Sequence, residues 1–193
     1  MVPPLVVGLM LSLLSLVLLP PPAAAATITG RVVGADGQGI AGAVVFIQAL
    51  PTGVQPPPQT QPAVMDQVHK TFVPEVLPVV VGSAVRFPNH DQIHHHVYSF
   101  SRTKSFELPL YKGEEAPPVL FDKVGVVKIG CNIHDWMAAV LLVVPTPFYA
   151  VTNDAGEFTL SGLSEGTLPV AAWHELSQTK VEETVQQIRV EQD

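Results

Sequence analysis

The sequence is poor in cysteine and in charge. Cys131 is the only cysteine among 193 residues, so no disulfide can form within the chain. Charged side chains make up 14% of the residues and give a formal net charge of −7, which argues against nucleic acid as a partner. The low charge, together with 19 prolines and 14 glycines, favours short strands and turns over long helices. We therefore expect an all-β protein.

Long hydrophobic runs are also missing, except at the beginning of the chain. Residues 5–19 are mostly apolar and uncharged, and they are fewer than the ~20 residues that a membrane span requires. Three prolines and then four alanines follow, which supply the small residues that signal peptidase needs. We predict a signal peptide at 1–26, and hence a periplasmic or secreted protein, although no lysine or arginine precedes the run. An uncleaved membrane anchor is the alternative.

The rest of the chain is divided by a segment rich in proline. Residues 27–50 are predicted to form two strands, and residues 51–62 a linker with polyproline character. Residues 63–145 repeat the signals of short strands, and residues 146–193 return to the strand-and-turn pattern of the opening. Many short strands without a helical period indicate a sandwich or a barrel.

The expected strands of the 63–145 segment are 71–76, 79–87, 95–101, 124–129 and 138–144. Between them, residues 104–118 are predicted to form a long connection. Near the end of the chain, residues 181–190 fit either a final strand or a short helix, and the strand is preferred.

The single cysteine opens the motif CNIHDWM, residues 131–137, between two predicted strands. Cys131, His134 and Met137 follow one another at intervals of three residues. Thiolate and imidazole are strong in-plane donors for copper, and a thioether is a weak axial one. An unpaired thiol in an exported protein is buried, bound to another molecule or held by a metal, and these neighbours favour a metal. Zinc is the chief competitor, but it usually takes more thiolates.

Two parts of the sequence resemble two different families. GRVVGADGQGIAGAVVFI, with TNDAGEFTLSGLSEG and AAWHE near the end, resembles the carboxypeptidase regulatory-like, transthyretin-type sandwich. The block from FVPEVLPVVVGSAVRFPNHDQIHHHVYS to GVVKIGCNIHDWMAAVLLVV resembles the cupredoxins, especially the plastocyanin and amicyanin group and bacterial methylamine utilisation-type exported proteins. These resemblances imply a cupredoxin Greek-key sandwich at 63–145, inserted into a small Ig-like sandwich made of residues 27–50 and 146–193.

The cupredoxin resemblance implies a type 1 copper centre with one copper ion per chain. Cys131 is then the thiolate, His134 the imidazole of the loop and Met137 the axial thioether, and the C-x2-H-x2-M spacing matches the short ligand loop of amicyanin. The fourth ligand of these families begins a strand in a His-Asn-Val motif. HHV at residues 95–97 aligns with that motif, which makes His95 the ligand.

The strand around His95 leaves some alternatives open. Alternation places His95 on the same face as Val97, and a face with one histidine and a valine suits a ligand directed at the core. His94 and His90 are the alternatives for this position. His96 stands where the family usually has the asparagine whose side chain connects the two ligand loops, which is a departure from the family's pattern.

These residues indicate an exported electron carrier and not an enzyme. Gly130 and Asn132 flank Cys131, so the histidine that connects the cysteine to a second copper in multicopper oxidases and copper nitrite reductases is missing. The expected partner is a redox protein such as a c-type cytochrome or a dehydrogenase, with Trp136 either in the docking patch or packing the loop. No stable membrane span is expected once the signal peptide is removed.

Two other functions fit the sequence less well. In a periplasmic copper carrier or storage protein, the additional histidines (His90, His94 and His96) would form a labile loading site beside the main one. In a structural module, the Ig-like sandwich would bind a partner and the metal site would have no role; an intact ligand set argues against this.

Overall fold

The computed structural model describes residues 26–55, 62–113 and 116–191. The predicted signal peptide at 1–26 lies outside these residues apart from its last one, and so does the centre of the predicted linker at 51–62. Within the described residues, no helix has the length and apolar character needed to cross a bilayer.

In chain order, the strands are β1 (Ala26–Arg31), β2 (Val44–Ile47), β3 (Ala63–Val64), β4 (Asp66–Val68), β5 (Thr71–Val73), β6 (Val76–Val80), β7 (Ser83–Arg86), β8 (His95–Phe100), β9 (Ser105–Tyr111), β10 (Val119–Phe121), β11 (Gly125–Cys131), β12 (His134–Val144), β13 (Tyr149–Val151), β14 (Glu157–Leu163), β15 (Gly166–Trp173) and β16 (Gln186–Val190). A short 3-10 helix, Val181–Thr184, precedes β16. The expectation of an all-β fold is confirmed.

Two sheets enclose the larger core. One has five strands in the order β6-β12-β11-β8-β9, and the other has three in the order β10-β7-β3. Val85 and Phe121 of the smaller sheet share one cluster of buried side chains with Val97, Val127 and Leu141 of the larger. Burial of these aliphatic and aromatic side chains between two sheets is the main stabilising contribution that a β-sandwich has.

The first and last parts of the described chain pair with each other. Strand β1 is antiparallel to β14, and β2 lies between β13 and β15. Val45 and Ile47 of β2 belong to a second buried cluster with Leu160, Leu168 and Val190. Strands from both sides of the 63–145 segment therefore form one smaller sandwich. The likeness of this sandwich to the transthyretin type stays a prediction.

A third cluster joins the two sandwiches. Val44 and Phe46 pack against Leu142 and Val144 of β12. They lie on the opposite face of β2 from Val45 and Ile47, which belong to the smaller core. All four residues of β2 and residues 139–144 of β12 are buried, so these two segments are covered on both faces. Such strands are expected to be hydrophobic throughout and not alternating.

The prediction of a long connection at 104–118 is wrong, because β9 occupies residues 105–111. The apolar residues Phe106, Leu108 and Leu110 alternate in this segment. The pairing of β9 with β8 shifts register between His95 and Val97, and Tyr111 is buried while Leu110 is exposed. Pro109 lies within β9, where its missing N–H is tolerated because β9 is at the edge of the five-stranded sheet.

The strand boundaries between residues 71 and 80 also differ from the predictions: the expected strand 71–76 is divided between β5 and β6, which belong to different sheets. Pro78 lies inside β6 and pairs with Leu142, whereas the strand was expected to begin after it; β6 is also an edge strand. The predicted interruption near Gly82 is present, and the strands on its two sides belong to different sheets. Residues 181–190 contain both predicted alternatives, a short helix followed by β16.

Candidate metal centre

The register of three adjacent strands brings the candidate ligands together. Strand β11 ends at Cys131 and β12 begins at His134, so the connection is only two residues long and both strands extend further into the CNIHDWM motif than predicted. Cys131 pairs with His134 on one side and with Val97 of β8 on the other. Since His95 is two residues from Val97, its side chain is on the same face of β8.

Three donor atoms converge at this point. The Sγ of Cys131 is 3.7 Å from Nδ1 of His95 and 3.6 Å from Nδ1 of His134. All three atoms lie within 4.8 Å of one another. Cys131 is 3% exposed and His95 is fully buried, whereas His134 is partly exposed. A His-Cys-His group is therefore present, closed on one side by the core and reachable from the other.

The spacing of these atoms fits a shared metal ion. An ion about 2.0 Å from each nitrogen and about 2.3 Å from sulfur, with bond angles of about 110–120°, keeps nitrogen and sulfur about 3.5–3.7 Å apart. The two observed separations, 3.6 and 3.7 Å, lie in that interval. Little movement of Cys131, His95 or His134 is then needed for binding.

Met137 lies in the buried core beside this group. It is 2% exposed and belongs to the same cluster of buried side chains as Cys131. Both residues also line a cleft of about 430 Å³ on the five-stranded sheet. Asp135 and Trp136 are both exposed, where the pairing of β11 with β12 shifts register between Gly130 and Cys131. From Met137 onwards the strand alternates again, and Met137 faces the core with Ala139 and Leu141. Its role as a ligand stays a prediction.

The neighbouring histidines occupy different environments. His94 is exposed, and Nδ1 of His90 is 2.8 Å from both carboxylate oxygens of Asp66. Nε2 of His96 is 2.8 Å from Glu107. Of these histidines and His95, the structure places His95 in the three-residue group, and its predicted orientation towards the core is confirmed by its burial.

A backbone hydrogen bond connects the two ligand segments. The N–H of Asn132 donates to the carbonyl oxygen of His96 over 3.2 Å. The side chain at position 96, where the cupredoxin pattern has asparagine, points instead to Glu107. The loops are thus connected through main-chain atoms, which any residue at position 96 can supply.

Asp91 orients His95, and the sequence analysis did not identify it. Its Oδ2 accepts a hydrogen bond from Nε2 of His95 over 2.8 Å, which leaves the lone pair of Nδ1 directed at Cys131. Burial raises the pKa of Asp91, but hydrogen bonds from the backbone of Lys70, from His95 and from the backbone of His69 outweigh it and leave that pKa lowered. The only available signal was a carboxylate four residues before a candidate ligand.

His134 occupies the exposed side of the group. Its ring centroid is 4.9 Å from that of His95 and 5.4 Å from that of Trp136, whose side chain is 68% exposed. Burial, followed by the charges of His95 and Lys70, lowers the pKa of His134. A lowered pKa keeps the imidazole neutral, which is the form that binds metals.

Apolar side chains surround His134 at the surface. A shallow cavity beside its ring is lined by Ile93, His94, Leu110 and Ile133. Ile133 is 48% exposed and Leu110 is 57% exposed. Exposed aliphatic groups clustered next to a candidate metal ligand form a surface that a partner can cover.

A buried polar network lies beneath His95. Tyr111 pairs with His95 in the sheet, and its hydroxyl donates to the carbonyl oxygen of Phe87 over 2.6 Å and contacts the amide of Gln67. The side-chain amide of Asn89 donates to the carbonyl oxygen of Tyr111 over 3.1 Å. Burial raises the pKa of Tyr111 to about 12, with Gln67 opposing the shift.

No family model matches the chain, and no curated protein matches it. Among solved structures, a Cu(I) amicyanin mutant is similar to it at 22% identity, covering 42% of this chain and 81% of that one with a TM-score of 0.40. A purple cupredoxin from Nitrosopumilus maritimus has 22% identity and a TM-score of 0.38, with 42% and 98% covered. A copper-containing nitrite reductase from Thermus scotoductus has 24% identity and a TM-score of 0.41, with 50% and 25% covered.

The raised pKa of Tyr111 predicts a loss of stability in alkali. The folded state holds the phenol proton up to about pH 12, whereas the unfolded chain releases it near 10.0. The free energy of unfolding should therefore fall as the pH rises from 10 towards 12, because the unfolded state binds fewer protons there. Denaturant unfolding at several pH values measures this. Tyr111→Phe should show a weaker dependence than Tyr98→Phe; equal dependence in the two variants would contradict the assignment.

Proposed function

We propose that this protein binds one copper ion through His95, Cys131 and His134, with Met137 as a weak axial donor, and carries single electrons between redox partners. The observation that supports this most directly is the buried thiol of Cys131 with two Nδ1 atoms 3.6 and 3.7 Å away. Copper, when bound, supplies the one-electron chemistry by alternating between its +1 and +2 states.

The donor set favours copper over zinc. It contains a single thiolate and two imidazoles, with a methionine in the adjoining core, whereas structural zinc sites usually contain several thiolates. The residues also stand on paired strands, and Cys131, His95 and Met137 are almost fully buried. Rigid supports and the exclusion of water limit the rearrangement that accompanies a change of charge at the site.

The exposed side of the centre is the proposed docking surface for a redox protein such as a c-type cytochrome or a dehydrogenase. His134 reaches the surface there, next to Trp136, Ile133 and Leu110. A partner that covers these side chains comes within a few ångströms of a metal ligand. The formal charge of −7 favours a basic partner.

The alternative function, a copper carrier or storage protein, has weaker support. It requires a labile second site, yet His90 contacts Asp66 and His96 contacts Glu107. An enzymatic role is also not proposed, since Gly130 and Asn132 flank Cys131 and supply no bridging histidine to a second copper. We further propose that the protein is exported to the periplasm or secreted, on the pattern of residues 1–26; cell fractionation checks this.

An absorption spectrum of the oxidised, copper-loaded protein tests the proposed function. We expect one tightly bound copper per chain and an intense visible band from charge transfer between the thiolate and copper. Cys131→Ser should remove the band, because an alkoxide does not replace the thiolate. His174→Ala, in the smaller sandwich, is the matched control and should keep it. Several weakly bound, colourless equivalents would favour the carrier, and a coloured serine variant would contradict the assignment of Cys131.

Substitution of Met137 tests the axial ligand separately. Met137→Leu should retain copper and raise the reduction potential measured by voltammetry, because loss of a weak donor favours the reduced ion. Met65→Leu is a suitable control, since Met65 is fully buried in the same core but is not a candidate ligand. If both variants had the potential of the original protein, Met137 would be a core residue only.

The docking surface predicts a selective kinetic effect. Ile133→Ser should slow electron transfer to a c-type cytochrome by about tenfold, because it removes apolar contact area at the interface core. The reduction potential should not change. Leu176→Ser is the matched control, because Leu176 is 84% exposed and lies in the smaller sandwich. Stopped-flow mixing measures both rates, and equal rates for the two variants would place the docking surface elsewhere.

A further inference from the structure

The hairpin formed by β4 and β5, residues 66–73, contacts both segments that carry the histidines of the metal centre. Its two-residue turn consists of His69 and Lys70. None of its residues is a candidate ligand. Three hydrogen bonds of the turn nevertheless go to residues that support His95 or His134.

The first set of contacts leads to His95. The backbone N–H of His69 donates to Oδ1 of Asp91 over 2.7 Å, and that of Lys70 donates to Oδ2 over 2.8 Å. The same Oδ2 accepts the hydrogen bond from Nε2 of His95. The two amides of the turn therefore fix the plane of the carboxylate that orients the His95 ring.

The second contact leads to His134. The carbonyl oxygen of Lys70 accepts a hydrogen bond from the indole N–H of Trp136 over 3.2 Å. The ring of Trp136 meets that of His134 edge to face, with centroids 5.4 Å apart. The main chain of Lys70 thus touches the supports of both histidines, through its N–H on one side and its carbonyl group on the other.

The base of the hairpin is held firmly. Gln67 is fully buried; its N–H donates to the carbonyl oxygen of Pro88 over 3.1 Å, and its own carbonyl oxygen accepts from the N–H of His90 over 3.0 Å. Its side-chain amide donates to the carbonyl oxygens of Phe87 and Pro88. The hairpin is consequently anchored to the chain segment that leads into His95.

The turn has a backbone conformation that its residues rarely adopt. His69 has φ 54° and Lys70 has φ 57°. Two positive φ values are needed in the tight hairpin turns that match the strand twist, where asparagine and glycine are preferred. Residues of other types keep such a conformation where their surroundings hold it, often at functional sites. Here the carboxylate of Asp91 and the indole of Trp136 are those surroundings.

We infer that the 66–73 hairpin is a clasp that positions the imidazoles of His95 and His134 before any metal binds. This role deepens the proposed function, on which its consequence for copper rests. A clasp that connects the supports of both rings keeps their separation from Cys131 constant. Metal binding then requires little reordering, and affinity rises because less conformational freedom is lost.

Two double substitutions in the turn separate its geometry from its side chains. His69→Asn with Lys70→Gly keeps a turn that accepts positive φ, whereas His69→Val with Lys70→Val introduces β-branched residues for which positive φ is strongly disfavoured. Both variants lose the imidazole of His69 and the charge of Lys70. They differ in whether the two amides can still be directed at Asp91.

The clasp predicts opposite behaviour of the two variants. The Asn-Gly variant should match the Lys70→Gly single variant in copper affinity, visible spectrum and potential. The Val-Val variant should bind copper about tenfold or more weakly, as is usual when the residues supporting a metal ligand are removed. Competition with a copper chelator measures the affinity. Equal affinities in the two variants would overturn the clasp, whether both match the original protein or both are weakened.

A measurement on the metal-free protein tests the role of the hairpin independently of the proposed copper function. Imidazole nitrogen resonances of the apoprotein report the tautomers of His95 and His134. They should match those of the Lys70→Gly variant in the Asn-Gly variant and differ from them in the Val-Val variant, because both double variants lack the charge of Lys70. Absence of the copper band in the original protein would reject the proposed function, while the apoprotein spectra would still decide the clasp.

If the Val-Val variant does not fold, Trp136→Phe tests the connection between the hairpin and His134. It keeps an aromatic ring beside His134 and removes the indole N–H that donates to Lys70. We expect changed His134 resonances in the apoprotein and a weaker affinity for copper. Resonances and affinity equal to those of the original protein would overturn the connection of the hairpin to His134.

Discussion

The approach of the Cys131 thiol to two imidazoles depends on the register of β8, β11 and β12. Cys131 faces Val97 on one neighbouring strand and His134 on the other, and His95 follows from its alternation with Val97. A slip of β8 by one residue would direct His94 or His96 to the core and turn His95 to the surface. The cost of exposing Val97 opposes that slip, so packing of the core selects the ligand.

The strand that carries His134 and Met137 also connects the two sandwiches. In the second half of β12, Leu141 and Val143 belong to the larger core, while Leu142 and Val144 pack against β2. This half of the strand is therefore fixed on both faces. The smaller sandwich, which contributes no donor to the three-residue group, supports the metal centre through the strand on which it is built.

The sequence alone predicts the group itself better than its supports. The three-residue spacing in CNIHDWM and the strands on either side bring Cys131 and His134 together. The resemblance of residues 95–97 to the family motif points to His95, with support from alternation and with His94 and His90 as alternatives. Asp91, the turn at His69 and the contact of Trp136 with Lys70 were not predicted, because they join segments whose proximity depends on the tertiary fold. Strand β9 was missed although Phe106, Leu108 and Leu110 alternate, since Pro109 within the segment is evidence against a strand away from a sheet edge.

The two imidazoles differ in their surroundings, and this difference suits them to different tasks. His95 is fully buried and is bonded to a carboxylate with a lowered pKa, so its orientation is fixed and water cannot reach it. His134 is partly exposed and has no carboxylate partner among the described contacts, yet its pKa is lowered by burial and by the charges of His95 and Lys70. Its ring remains neutral at the surface, where a protonated ring would be lost as a donor. The arrangement thus combines a rigid buried imidazole with an accessible one, which suits the proposed exchange of electrons with a protein partner.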